Sequence, residues 1–129
     1  TILFGRIDRI DSSCDGQNKL IIDYKTGKSA KQETVDTAED VQLISYALLN
    51  NEVKNVFYLN LDDAKRGVKQ GASLSGETLE TLKIACTRRL NDVIKMTHDG
   101  HSLTAWGDET VCAYCKYDGI CRKPFWSEN

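Results

Sequence analysis

The sequence predicts an α/β domain, a small sheet with helices packed on its faces. Three observations predict it. Two strand-like runs, 2–11 and 19–25, are separated by a short polar turn. A helical pattern and a third strand-like run follow, and then a second, longer helical pattern. Regular patterning stops at Gly100, where a cysteine-bearing tail begins. Strands interleaved with helices in this order favour a layered α/β architecture.

Residues 2–11 are rich in Ile, Leu and Phe, with polar residues interleaved from Arg6 onward, which is a strand signal. Residues 12–18 (Ser-Ser-Cys-Asp-Gly-Gln-Asn) have turn composition. Residues 19–25 (Lys-Leu-Ile-Ile-Asp-Tyr-Lys) form a second strand, and the two pair as an antiparallel hairpin. Residues 26–37 are polar and read as an exposed loop. Val41, Ile44, Ala47 and Leu48 recur at helical spacing within a helix over 38–50. Residues 53–62 alternate as a third strand, and 65–72 read as a turn with room for one short strand. Ser75 is a good N-cap for an amphipathic helix over 78–97 carrying Leu79, Leu82, Ala85, Leu90, Val93 and Ile94.

The length of 129 residues suits a single domain with a real core: 1–99 as the folded core and 100–129 as the Cys-rich tail. Apolar and charged fractions of 40% and 28% are those of an ordinary globular chain. The net charge of -2 does not announce a nucleic-acid binder, but it leaves room for a local basic patch. No apolar run approaches the roughly 18 residues of a membrane span, and no signal peptide is visible. The chain opens inside a strand-like run without a starting Met, so a piece of a longer protein is expected. Three of the five cysteines crowd into 112–121. Without a secretory signal they read as metal ligands before disulfides, and the chain as intracellular.

Asp23 and Lys25 are two apart on a strand, so their side chains share one face while Tyr24 points to the other. An acid and a base closing an apolar strand are costly to bury, and a divalent cation between carboxylates would compensate. Asp8, on the preceding strand, can lie beside Asp23 if the hairpin forms. Two carboxylates with water and phosphate oxygens are a usual Mg²⁺ environment. Such a metal polarises a phosphate and acidifies its bound water, and Lys25 can orient that water or stabilise developing charge.

Gly5-Arg6-Ile7-Asp8, then Asp23-Tyr24-Lys25-Thr26-Gly27, then Gln42-x3-Tyr46, stand in order along the chain. This succession resembles the PD-(D/E)XK nuclease superfamily, and within it the RecB/AddB branch. The resemblance implies a restriction-endonuclease-like core with a central mixed sheet flanked by helices. It implies a Mg²⁺- or Mn²⁺-dependent deoxyribonuclease, an exonuclease of recombination or repair in the bacterial cytoplasm, with a helicase domain or subunit as partner. By the same resemblance Asp8 and Asp23 are metal ligands, joined by the Tyr24 carbonyl, and Lys25 is catalytic. Gln42, Tyr46 and Arg6 contact DNA. Asp11 competes with Asp8, and a strand bulge would favour it. Relatives carry an acidic residue or His on a helix before the first strand, and the resemblance implies such a helix upstream of Thr1.

Cys112-x2-Cys115-x5-Cys121 is a metal-ligand spacing. It resembles the trio that, with a fourth cysteine far upstream, holds a [4Fe–4S] cluster in AddB-type nucleases. Zinc is the rival, with His98 or His101 as fourth ligand. Each of these residues also has an ordinary role to weigh. Asp23–Lys25 could be a surface ion pair, and Gln42 and Tyr46 a polar cap and a half-buried aromatic. Cys86 reads as a small buried hydrophobe, His98 and His101 as exposed residues, and Trp106 and Trp126 as tail packing. Lys83, Arg88, Arg89 and Lys95 read as a solvated helix face. A non-cleaving DNA- or partner-binding module is the competing function.

Overall fold

The computed structural model describes residues 2–61, 67–102, 107 and 112–121. The chain divides into two compact units, Thr1–Leu90 and Asn91–Asn129. Four strands run in the first unit: β1 (Arg9–Ser12), β2 (Lys19–Lys25), β3 (Val53–Asn60) and β4 (Lys69–Ser75). Between β2 and β3 lie two short helices, α1 (Gln32–Asp36) and α2 (Gln42–Leu48). The long helix α3 (Gly76–His98) follows β4, and the division between the units falls within it. The second unit also holds α4 (Asp118–Cys121).

The sheet order is β1-β2-β3-β4. β1 and β2 pair antiparallel, β2 and β3 parallel, and β3 and β4 antiparallel. The expected mixed sheet with helices is therefore present. A parallel pair cannot be joined by a tight turn, and α1 and α2 supply the crossover between β2 and β3. The expected hairpin closes with Ser13 N–H donating to the Asn18 carbonyl at 2.9 Å.

Register decides which side chains meet. Ile21, Asp23 and Lys25 on β2 stand beside Val56, Tyr58 and Asn60 on β3. Alternation puts all six on one face. Ile21, Val56 and Tyr58 are fully buried there with Val35 of α1, Leu43, Ile44 and Ala47 of α2, and Leu79 of α3. Arg9, Ile22, Tyr24 and Phe57 share the opposite face. Asp23 thus lies on the face covered by helices, at the edge of the apolar core.

Four sequence expectations change. The strand expected over 2–11 is confined to Arg9–Ser12. Ile2 and Phe4 are 86% and 89% exposed, and the Tyr24 N–H beyond the β1 pairing donates to the Asp8 carboxylate at 3.0 Å. A side chain thus takes the place of a ladder carbonyl. The loop expected over 26–37 contains α1, whose one apolar anchor, Val35, is fully buried. A single anchor leaves no periodic signal. The helix expected over 38–50 starts only at Gln42, because Ala38 turns through a left-handed φ of 57°. The anticipated short strand within 65–72 is β4, which runs on to Ser75 immediately before α3.

Lys83 corrects the reading of α3. It is buried, not on a solvated face, because Leu79, Lys83 and Cys86 form one inward stripe. Its ammonium stays near Glu80 at 3.3 Å. Leu90 and Val93 are 40% and 49% exposed instead of packed. No helix among the described residues is long and apolar enough to cross a membrane.

β4 is an edge strand, and its backbone at Ser73 is closed by a side chain. The Gln32 amide donates to the Ser73 carbonyl at 2.7 Å and accepts the Ser73 N–H at 2.9 Å. It acts as a one-residue substitute for a further strand and fastens α1 to the sheet. Gln32→Ala removes both bonds. The expected cost is about 1–2 kcal/mol, read as a lower urea midpoint with unchanged slope. A loss under about 0.5 kcal/mol, ordinary for a surface substitution, would refute this fastening role.

Candidate active site

Asp23 is 3% exposed at the C-terminal end of β2. A carboxylate there needs both its charge and its lone pairs matched. Oδ1 accepts a hydrogen bond from Gln42 Nε2 at 3.1 Å. Oδ2 has the Lys25 ammonium 2.8 Å away, outside hydrogen-bond geometry, and is buried without a hydrogen-bond partner among the described residues. Its charge is balanced while its lone pairs stay open. That is the donor a hard divalent cation takes, so this residue fits a metal.

Gln42 opens α2 and is the hub of the site. Its Oε1 accepts from Lys25 Nζ at 2.7 Å, and its Nε2 donates to Asp23 and also to the Tyr46 hydroxyl at 2.9 Å. An ammonium only donates and a carboxylate only accepts, so these two partners define which end of the amide is oxygen. Lys25 also stands 4.9 Å from the Tyr58 ring centroid. The expected helix face of Gln42 and Tyr46 is therefore turned to the Asp23–Lys25 pair, joining residues 17 to 23 positions apart in sequence.

Three residues of this neighbourhood escaped the sequence reading. The buried Tyr58 hydroxyl donates to Asp40 Oδ1 at 2.7 Å. The same oxygen accepts the Gln42 backbone N–H at 3.2 Å. Burial first, then the bond to Asp40, pushes the Tyr58 hydroxyl well above its ordinary value, so it remains a donor. Asn60 stands beside Lys25 in the register, with its Oδ1 buried and unpartnered among the described residues. Gly71 lets β4 close on this spot, since a Cβ there would lie 2.9 Å from Asn60 Nδ2 and 3.2 Å from Tyr58 Cβ. Asp40, two before a helical Gln, had a capping signal. Tyr58 and Asn60 had none, because only strand register makes them neighbours of Asp23 and Lys25.

Asp8 and Asp11 separate by their partners. Asp11 is bound twice by Arg9, at 2.8 and 2.9 Å, and that hydrogen bonding holds its carboxyl below the usual range. Arg9 also reaches the Tyr24 hydroxyl at 3.4 Å, on the face away from Asp23. Asp8 is exposed, and its Oδ2 is anchored to the backbone of Tyr24, the residue next to Asp23. Asp8 is thus the acid tied to β2 beside Asp23, while Asp11 is engaged by Arg9. Arg6, just upstream, is exposed.

In the second unit, Cys115 N–H donates to the Cys112 carbonyl at 3.1 Å, and Cys121 N–H donates to the Tyr117 carbonyl at 2.8 Å. Cys14 is exposed in the hairpin turn, Cys86 is buried in α3, and His98 and His101 are exposed. Among the described residues, no group of three or more His, Cys, Asp or Glu side chains converges to hold a metal. Asp8 and Asp23 would serve a cation as two carboxylates, which suits Mg²⁺ because it keeps water ligands. Trp106 and Trp126 lie outside the described residues.

Comparison with curated proteins and with solved structures gave no match. Comparison with family models matched residues 1–122 to the PD-(D/E)XK nuclease superfamily. That span takes in the mixed sheet, the helices between its strands and every residue around Asp23. The chain belongs to the PD-(D/E)XK nuclease superfamily.

Proposed function

We propose that this domain hydrolyses DNA phosphodiester bonds with a divalent cation, Mg²⁺ or Mn²⁺, as an exonuclease of the RecB/AddB type in recombination or repair. One observation carries the reading. A nearly buried Asp23 keeps one carboxylate oxygen free of hydrogen bonds among the described residues, beside a lysine whose ammonium is held by a glutamine from another element. A core built for stability alone would pair that oxygen.

Asp8, Asp23 and the Tyr24 carbonyl are the proposed ligands. The bound cation would supply Lewis acidity toward the scissile phosphate and acidify its water. Asp23 would offer its Oδ2 to that cation. Lys25 orients the attacking water or stabilises charge developing on the phosphate. Gln42 holds the ammonium and the carboxylate in fixed relation, and Tyr46 secures the far side of the amide. Gln42, Tyr46 and Arg6 line the approach of DNA. A helicase domain or subunit is the proposed partner that delivers the strand.

Asp23→Asn and Lys25→Ala, made in the full-length polypeptide, should each lower Mg²⁺-dependent cleavage at least about a hundredfold, with folding retained. Undiminished cleavage by either variant would sink this chemistry. A non-cleaving DNA-binding module is separated by calorimetric titration with Mn²⁺: the catalytic reading requires a binding event that Asp8→Ala weakens.

The cysteines are a separate proposal, a [4Fe–4S] cluster on Cys112, Cys115 and Cys121 with a fourth thiolate from elsewhere. Full-length protein purified without oxygen should contain iron and labile sulfide in about equal amounts. Zinc without iron would replace the cluster with a structural zinc site.

A further inference from the structure

We infer that Asp40 and Tyr58 are positioning residues of the site, a bridge that seats the first residue of α2 against β3 so that Gln42 reaches Asp23 and Lys25 together. This inference rests on the proposed nuclease activity.

One carboxylate oxygen makes two contacts. Asp40 Oδ1 accepts the backbone N–H of Gln42 at 3.2 Å and the Tyr58 hydroxyl at 2.7 Å. The first contact anchors α2 at the residue whose side chain does the bridging. The second ties that anchor to β3 at the position directly beside Asp23 in the register. One oxygen is thereby shared between α2 and β3, and the Tyr58 hydroxyl also lies 3.4 Å from Gln42 Oε1. The Gln42 amide then spans to Lys25 at 2.7 Å and Asp23 at 3.1 Å. The Tyr58 ring completes the arrangement from below, 4.9 Å from the Lys25 ammonium.

Neither packing nor capping accounts for this cluster. Packing alone explains the Tyr58 ring, which is fully buried, but not a hydroxyl aimed at a carboxylate. Helix capping alone explains the Gln42 N–H contact. It does not explain why the same oxygen is also claimed from the sheet. The two contacts together give Asp40 a task defined by geometry: both need an acceptor at Oδ1, and neither needs a negative charge.

That distinction sets the test. Asp40→Ala removes the acceptor, and Asp40→Asn keeps an acceptor oxygen without the charge. In the full chain with Mg²⁺ and a DNA substrate, Asp40→Ala should lower kcat about 10- to 100-fold with KM changed less than about threefold. Asp40→Asn should recover most of that loss. Tyr58→Phe, which keeps the ring, should give a smaller fall in kcat alone. A second readout is independent of cleavage: the Gln42 side-chain amide resonances in ¹⁵N–¹H NMR. They should move in Asp40→Ala and return toward their original positions in Asp40→Asn. The inference is overturned if Asp40→Ala leaves both kcat and those resonances unchanged. It is also overturned if Asp40→Asn is as impaired as Asp40→Ala, since the charge would then be what matters. If the unaltered protein does not cleave DNA, the nuclease reading fails, and the amide resonances still decide whether the bridge positions Gln42.

Discussion

The constraint on which this structure turns is the burial of one carboxylate. Asp23 lies on a central strand, on the face covered by helices, 3% exposed. An unpaired charge at such a depth would shift its protonation or unfold its surroundings. Among the described residues, the domain meets the constraint with the Lys25 ammonium and the Gln42 amide and leaves one oxygen without a hydrogen bond. The pairing of β2 with β3 and the position of α2 bring the side chains that satisfy it within reach.

The parallel pairing of β2 with β3 matters for the same reason. It sets Tyr58 beside Asp23 and Asn60 beside Lys25, so β3 furnishes the wall of the site. It also requires a crossover, and the crossover brings α2 over the same face. The apolar side of α2, Leu43, Ile44 and Ala47, is fully buried in the core. Gln42 and Tyr46 occupy the turn of the helix that reaches the end of the sheet. Packing energy from the apolar residues thus holds a polar cluster that would not assemble by itself. The opposite face follows a different logic: Arg9, Asp11 and Tyr24 form a surface network with no part in satisfying Asp23.

Much of this was legible in the residues. Alternation around Asp23 and Lys25 placed them on one face, and spacing of four placed Gln42 and Tyr46 on one helix face. The hairpin, the third strand and the long helix were signalled by turn composition and periodicity. Element edges were less legible. The apolar run at Ile2 to Phe4 reads as strand, yet it joins no strand pairing among the described residues and stays exposed. α1 is held by one buried Val and by a Gln bonded to a strand 41 residues away, and neither leaves a local pattern. Lys83 looked solvated because charge suggests exposure, whereas its place on the helix stripe decides its burial.

The sequence by itself determined the types of residue, their order and their local periodicity, and so the α/β class, the acid–lysine pair and the Gln–Tyr helix. Those features depend on neighbours two to four positions apart, where backbone geometry alone sets direction. Only the tertiary structure decided that Asp8 rather than Asp11 is anchored next to Asp23, that Asp40 and Tyr58 tie α2 to the sheet, and that one oxygen of Asp23 stays open. These depend on strand register and helix seating, which are set by how the whole core packs, and no local pattern carries that information.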